Sequence, residues 1–174
     1  EKFSDKNIRL IFDGVDYSGS FLLNGKRLGT HTGMWGGPEY EIEKYLNFGY
    51  KVNELIVQID PAPYEFEQTL KNSVAYGWNY ARMIAMGIWR PVRLQVTGES
   101  RMISPFLASS SIADNGVDTK LSLDIRHFGN SDKEMIFSCA ITPKNFEGMS
   151  YHFEQPVHLK RGLNRFGYKG EIAK

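Results

Sequence analysis

Tyr76-Gly77-Trp78-Asn79-Tyr80-Ala81-Arg82-Met83-Ile84-Ala85-Met86-Gly87-Ile88-Trp89-Arg90-Pro91-Val92-Arg93-Leu94-Gln95-Val96 is the stretch from which this chain can be read. From Ile88 on, Val92, Leu94 and Val96 alternate with Arg93 and Gln95, the period of a half-buried strand. Pro91 has no amide hydrogen for a ladder and so belongs near the start of that strand or on an edge. Residues 76–87 have neither a strand period nor a sustained helical one, yet they place Trp78, Asn79, Tyr80 and Arg82 between two glycines. Such a loop is costly to expose unless it packs or binds something.

A sugar suits it chemically. A pyranose offers an apolar C–H face to an indole and a ring of hydroxyls to an amide, a carboxylate or a guanidinium. The structural alternative is that Trp78 and Tyr80 plug the end of a sandwich core, since aromatic side chains are mostly packing residues.

Composition narrows the class. Of the 174 residues, 41% are hydrophobic and 13% aromatic, enough for a packed core in one large or two small domains. The net charge is +1 with no long run of one sign, which argues against nucleic acid or an anionic membrane as partner. Abundant Gly, Tyr, Phe, Val and Ile without helical periodicity predict an all-β protein. Cys139 is a single cysteine in a predicted strand and reads as a small core residue. No stretch is apolar enough for a helical membrane span, and the opening residues do not read as a signal peptide.

In the first part of the chain, Ile8, Leu10 and Phe12 alternate with Arg9 and Asp13 to give a strand. Gly14 predicts a bend or bulge before Val15 and Tyr17 resume the pattern. Asn24-Gly25 between strand-like runs predicts a two-residue hairpin turn, because both central residues take positive φ. A loop over residues 31–38 leads to a short strand at Glu39-Tyr40-Glu41-Ile42, and Leu55, Val57 and Ile59 alternate into a strand ended by Pro61 and Pro63. Phe66 and Leu70 suit one helical turn or an ordered loop. Trp35, among Gly33, Gly36 and Gly37, is a second aromatic loop, read equally as sugar contact or as packing against the sandwich.

The polar break Thr97-Gly98-Glu99-Ser100 sets a boundary, giving domains at residues 1–98 and 99–174. Beyond it, Val117 to Ile125 and Met135 to Ile141 alternate as strands around a turn at Gly129-Asn130-Ser131-Asp132, and three further strands are expected over residues 102–109, 151–159 and 163–168. Regular strands with polar turns read as an immunoglobulin-like sandwich.

Gly77-Trp78-Asn79-Tyr80 with Arg82, then Gly87-Ile88-Trp89-Arg90-Pro91-Val92, resembles the end of the sugar-binding jelly-roll domain of family 2 glycoside hydrolases, the β-mannosidase branch above all. Phe12-Asp13-Gly14-Val15-Asp16-Tyr17 and Leu23-Asn24-Gly25-Lys26-Arg27-Leu28-Gly29 resemble a second pair of segments from the same domain, in the same order. The branch commonly has Gly-Trp-Asp-Trp where this chain has Asn79 and Tyr80, and its loop is one residue longer. Asn79 can donate and accept hydrogen bonds without charge, so the glycoside stays open.

The resemblance implies a galactose-binding-like jelly roll followed by an immunoglobulin-like sandwich. It further implies a parent retaining exo-glycosidase acting on terminal β-linked sugars, β-mannosidase-like first. Trp78 and Asn79 would contact the substrate and Arg82 would brace the loop. The partners implied are the carbohydrate and a catalytic barrel of the same polypeptide; the location stays open, periplasmic or secreted being favoured if the parent is a bacterial polysaccharide-degrading enzyme. Both domains are expected to be incomplete, having fewer strands than the roughly eight and seven of the full folds. Open edges then invite pairing with a second copy.

Hydrolysis of a glycoside needs two flanking carboxyl groups. Glu39, Glu41 and Glu43 read as a solvated strand face, and Asp13 and Asp16 as turn hydrogen-bonders. In the family the catalytic glutamates lie on the barrel, so no catalytic residue is assigned here and no turnover is expected from this chain alone. His31, His127, His152 and His158 lack paired ligand spacing and are read as exposed or capping, with no metal or cofactor expected. The rival readings are a stand-alone carbohydrate-binding or adhesion module and a purely structural pair of sandwiches.

Overall fold

The structure is a computed structural model that describes residues 3, 5–63, 69, 71, 84–114 and 116–173. The expected all-β class is what it shows: among the described residues there are strands and one 3-10 turn, and no α-helix. Two compact units, Glu1–Thr97 and Gly98–Lys174, divide the chain.

In the first unit, β1 (Asn7–Phe12) lies between β5 (Glu39–Glu41) and β8 (Val92–Thr97), both antiparallel to it. A second sheet places β3 (Ser18–Leu23) between β4 (Lys26–Thr32) and β6 (Leu55–Asp60). The alternation in β1 turns Ile8, Leu10 and Phe12 inward, where they meet Phe21 and Leu23 of β3, Val15 and Ile42. Phe12 and Phe21 pack with ring centroids 4.7 Å apart and planes tilted by 59°. Burial of this cluster is the main force holding the sheets together.

The predicted hairpin is present. Asn24 and Gly25 have φ of 50° and 73°, and the turn joins β3 to β4. The Asn24 side chain also ties the next connection: Nδ2 donates to Tyr45 O and to Asn53 Oδ1, both at 2.8 Å, and Oδ1 accepts from Glu54 N at 2.9 Å.

Three expectations need correction. The strand at residue 39 ends at Glu41, and Ile42, 1% exposed, turns into the core ahead of the 3-10 turn Glu43–Tyr45. The strand after Pro91 does put Val92, Leu94 and Val96 on the core face, in register with Phe12, Leu10 and Ile8, but they are 41%, 65% and 38% exposed rather than covered. Among the described residues β8 is the outermost strand of the order β5-β1-β8, with a neighbour on one side only. Alternation marks which face turns inward, whereas coverage depends on what lies over it. His127, read as exposed or capping, is 2% exposed: its Nε2 donates to Ser131 O at 2.9 Å and Ser100 Oγ lies 2.9 Å from Nδ1.

In the second unit, β10 (Gly116–His127) runs between β9 (Ser100–Ala113) and β13 (Gly162–Ala173), while β11 (Lys133–Ile141) pairs with β12 (Tyr151–Leu159). Leu121, Leu123 and Ile125 of β10 pack against Phe137, Val157 and Leu159 of the two-stranded sheet. Phe137 stacks on Tyr168 at 5.6 Å with planes 5° apart, while Cys139 sits partly buried at the edge of this core.

Candidate functional site

Trp78, Asn79 and Arg82, the sequence-predicted substrate contacts, lie outside the described residues, as do Tyr80 and the pair Phe66 and Leu70. The structure does describe where the chain enters and leaves their segment, at Lys71 and from Ile84 on. Lys71 and Ala85 are in direct contact, the Lys71 ammonium donating to Ala85 O at 2.8 Å.

The leaving stem is held along β2 (Val15–Asp16), which pairs with β7 (Gly87–Ile88) so that Val15 faces Ile88 and Asp16 faces Gly87. Trp89 N donates to Gly14 O at 3.2 Å, and the indole lies over Gly14, where an added Cβ would come within 2.8 Å of Trp89 Cε2. That close approach explains the glycine after β1. On its other side, β2 is flanked by the second aromatic loop: Val15 N donates to Gly36 O at 3.0 Å and Gly33 N to Tyr17 O at 3.0 Å.

Trp89 joins the two flanks. Its Nε1 donates to Met34 O at 3.0 Å, and its ring meets Trp35 edge to face at 5.8 Å. The Arg90 guanidinium sits over the same indole, 4.6 Å from the ring centroid. Trp35 remains 61% exposed and Trp89 40%, so this cluster presents two indoles and a cation to solvent. Sequence reading singled out Trp35 but not its partnership with Trp89.

Two carboxylates read as turn hydrogen-bonders are instead paired with cations. Asp13 accepts from Arg93 Nε at 2.8 Å and Nη2 at 2.6 Å, and these bonds hold its carboxyl below the ordinary carboxylate range. Asp16, 4% exposed, pairs through Oδ2 with the Lys71 ammonium, whose side chain has no exposure at all. Lys71 Nζ donates in addition to Ala85 O at 2.8 Å. Sequence reasoning missed Lys71. The one available signal was a lone lysine ahead of an apolar-aromatic segment, which alone does not mark a buried cation.

Glu39, Glu41 and Glu43 are not brought together as an acid pair: Glu39 binds Arg9, and Glu43 leaves the strand for the 3-10 turn. In the second unit a cavity of about 250 Å³ opens between the sheets, lined by Leu107, Tyr151, Phe153 and Tyr168 among others. It holds none of the predicted contact residues.

No protein-family model matches the chain. A β-galactosidase of Thermoanaerobacter pseudethanolicus is 22% identical to it over 125 residues, 72% of this chain and 16% of that protein. Among solved structures, the β-glucuronidase of Bacteroides uniformis matches with a TM-score of 0.77 at 17% identity, covering 100% of this chain and 20% of its own. The β-D-mannosidase of Dictyoglomus thermophilum matches with a TM-score of 0.73 at 20% identity, over 99% of this chain and 23% of its own. A glycosyl hydrolase family 2 member from Bacteroides cellulosilyticus gives a TM-score of 0.73 at 16% identity, over 97% and 22%. The chain thus spans about a fifth of the solved structures it resembles. What these likenesses show is the fold, an all-β chain built like part of these glycosidases.

Proposed function

We propose that this chain is the non-catalytic region of a family 2 glycoside hydrolase that removes terminal β-linked sugars, with a β-mannoside as the first substrate to test. In this reading residues 1–98 form the sugar-binding jelly roll and residues 99–174 an immunoglobulin-like sandwich. A catalytic barrel on the same polypeptide supplies the two carboxyl groups that hydrolysis requires. Trp78 stacks on the sugar's C–H face, Asn79 hydrogen-bonds a hydroxyl, and Arg82 braces the loop.

The observation that supports this reading is that Lys71, which precedes the residues bearing Trp78 and Asn79 in the sequence, donates both to Asp16 and to the carbonyl of Ala85, which follows them. Recognition of a single sugar ring is favoured when the residues that contact it are held in place before binding. Likeness over nearly the whole of this chain to part of solved glycosidases of differing specificity supports the class. The preference for mannosides rests on the sequence resemblance around Trp78 and Asn79.

The test is Trp78→Ala in the complete polypeptide, assayed on nitrophenyl β-mannoside, β-galactoside, β-glucoside and β-glucuronide. Loss of about a hundredfold in kcat/KM on the preferred glycoside, with the melting temperature unchanged, is the expected outcome. Unaltered kinetics would remove the loop from the pocket. A polypeptide that binds sugars but hydrolyses none of the four would point instead to a carbohydrate-binding module.

A further inference from the structure

We infer that Trp35, with Trp89 and Arg90 beside it, forms a carbohydrate site that stacks one pyranose ring of a β-linked oligosaccharide. The inference goes beyond the proposed function and does not depend on it, since it uses none of the residues assigned there. Trp35 is 61% exposed although its loop is pinned at three points. Gly33 N donates to Tyr17 O and Val15 N to Gly36 O, both at 3.0 Å, and Trp89 Nε1 donates to Met34 O. Gly37 packs against Phe12 O, so the loop cannot shift inward, while nothing stands within 4 Å of the Cβ position of Gly36. The indole is thus held at an open surface, and an exposed aromatic group fixed in place before binding marks an interaction site.

The size of the patch favours a small ligand. Indoles exposed by 61% and 40% offer on the order of 200 Å² of ring surface, against about 800 Å² on each side of a standard protein interface. Their planes meet at 81°, so they form a corner and not a flat platform. The polar group beside them is a donor. Arg90 lies 4.6 Å over the Trp89 ring, is exposed, and makes no hydrogen bond or ion pair with the described residues. Asp13, near enough for Arg90 to help lower its pKa, already has both carboxylate oxygens on Arg93. A guanidinium with unspent donors beside an open indole selects a ligand with an apolar C–H face and oxygen acceptors at its rim. A pyranose has both. With Trp35 and Arg90 set on the same indole, one ring of a chain can lie on Trp35 while hydroxyls of its neighbour reach Arg90.

The experiment titrates the 174-residue chain with three probes, the β-linked trisaccharides of mannose, glucose and galactose, and follows its 3 indole N–H signals by NMR. At least one probe should move the Trp35 signal saturably, with a Kd of about 1 mM, the affinity of a site with few contacts. Saturation transfer to the same probe should be strongest at its ring C–H protons. Trp35→Ala should abolish that transfer with the melting temperature unchanged, because the side chain is mostly exposed. Arg90→Met should weaken binding about tenfold through loss of charged hydrogen bonds. Binding by none of the probes, movement confined to indoles other than Trp35, or binding that survives Trp35→Ala would each overturn the inference. Wild-type affinity in Arg90→Met would remove the guanidinium from the site. Should Trp35→Ala not fold, Trp35→Gln takes its place under the same outcomes. A complete polypeptide that hydrolyses no glycoside would fail the proposed function and leave this result standing.

Discussion

Arg93 grips Asp13 with two parallel hydrogen bonds, Nε to Oδ2 and Nη2 to Oδ1, joining the end of β1 to the edge strand β8. The bonds favour the ionised carboxyl and so lower its pKa. A group whose pKa is lower in the folded state stabilises that state at pH values above its unfolded pKa, about 4 for an aspartate, and loses the contribution as pH falls through the folded value. Asp13→Asn should therefore be less stable than the wild type at neutral pH, with the gap closing below about pH 4. Melting temperatures of the two proteins across the acid range check this, and a gap of constant size would be evidence against it.

Gly37 sits against the backbone of β1: a Cβ there would lie 2.3 Å from Phe12 O and 2.9 Å from Phe12 C. Neither atom is the free end of a side chain that could swing aside. Gly37→Ala should cost about 2–3 kcal/mol, at the upper end for overpacked sites, read as a lower urea midpoint with unchanged slope. Gly14→Ala meets the Trp89 ring instead and should be the milder change.

His158 faces Glu134 across the β11–β12 ladder, with Nδ1 2.5 Å from Glu134 Oε1 and Nε2 3.1 Å from Asp132 Oδ2. Bonds to the two carboxylates, Glu134 foremost, raise the imidazole pKa above its ordinary 6.5. Its contribution to stability is thus fully present below that unfolded value and is lost as pH rises through the higher folded one. An NMR titration of the ring should show a raised midpoint that moves back toward 6.5 in Glu134→Gln. A midpoint indifferent to that substitution would assign the shift elsewhere.

What could be read in the sequence was local chemistry. Asn24-Gly25 declares a hairpin because a two-residue turn requires positive φ at both positions and these residue types tolerate it, and the β10 and β11 alternations declare their strands because side-chain direction has a period of two. The Asp16–Lys71 pair could not be read, since its partners are separated by 55 positions and Lys71 stands in a segment with no period. The exposure of Leu94 escaped for a related reason: its strand has the pattern of a covered face, and nothing within the strand says that it stands at an edge. The site residues Trp78, Asn79 and Arg82 came from motif resemblance, which carries chemistry but no coordinates.

The hydrogen bonds that Asn24 makes have a meaning for the ageing of the protein. An asparagine followed by glycine is prone to lose its amide when the next backbone nitrogen attacks the side-chain carbonyl, a step that needs the side chain free to turn. Here Nδ2 is engaged by Tyr45 O and Asn53 Oδ1, and Oδ1 by Glu54 N, so the folded chain withholds the reacting conformation. Once formed, an aspartate at this position would set a carboxylate against two oxygens that the amide nitrogen now serves, and refolding would close on a weakened connection. Peptide mapping of stored protein should accordingly find the conversion accelerated by mild denaturant, and equal rates with and without denaturant would remove the protection argued here. The intact amide of Asn24 then serves as a chemical record of how long the first unit has stayed folded.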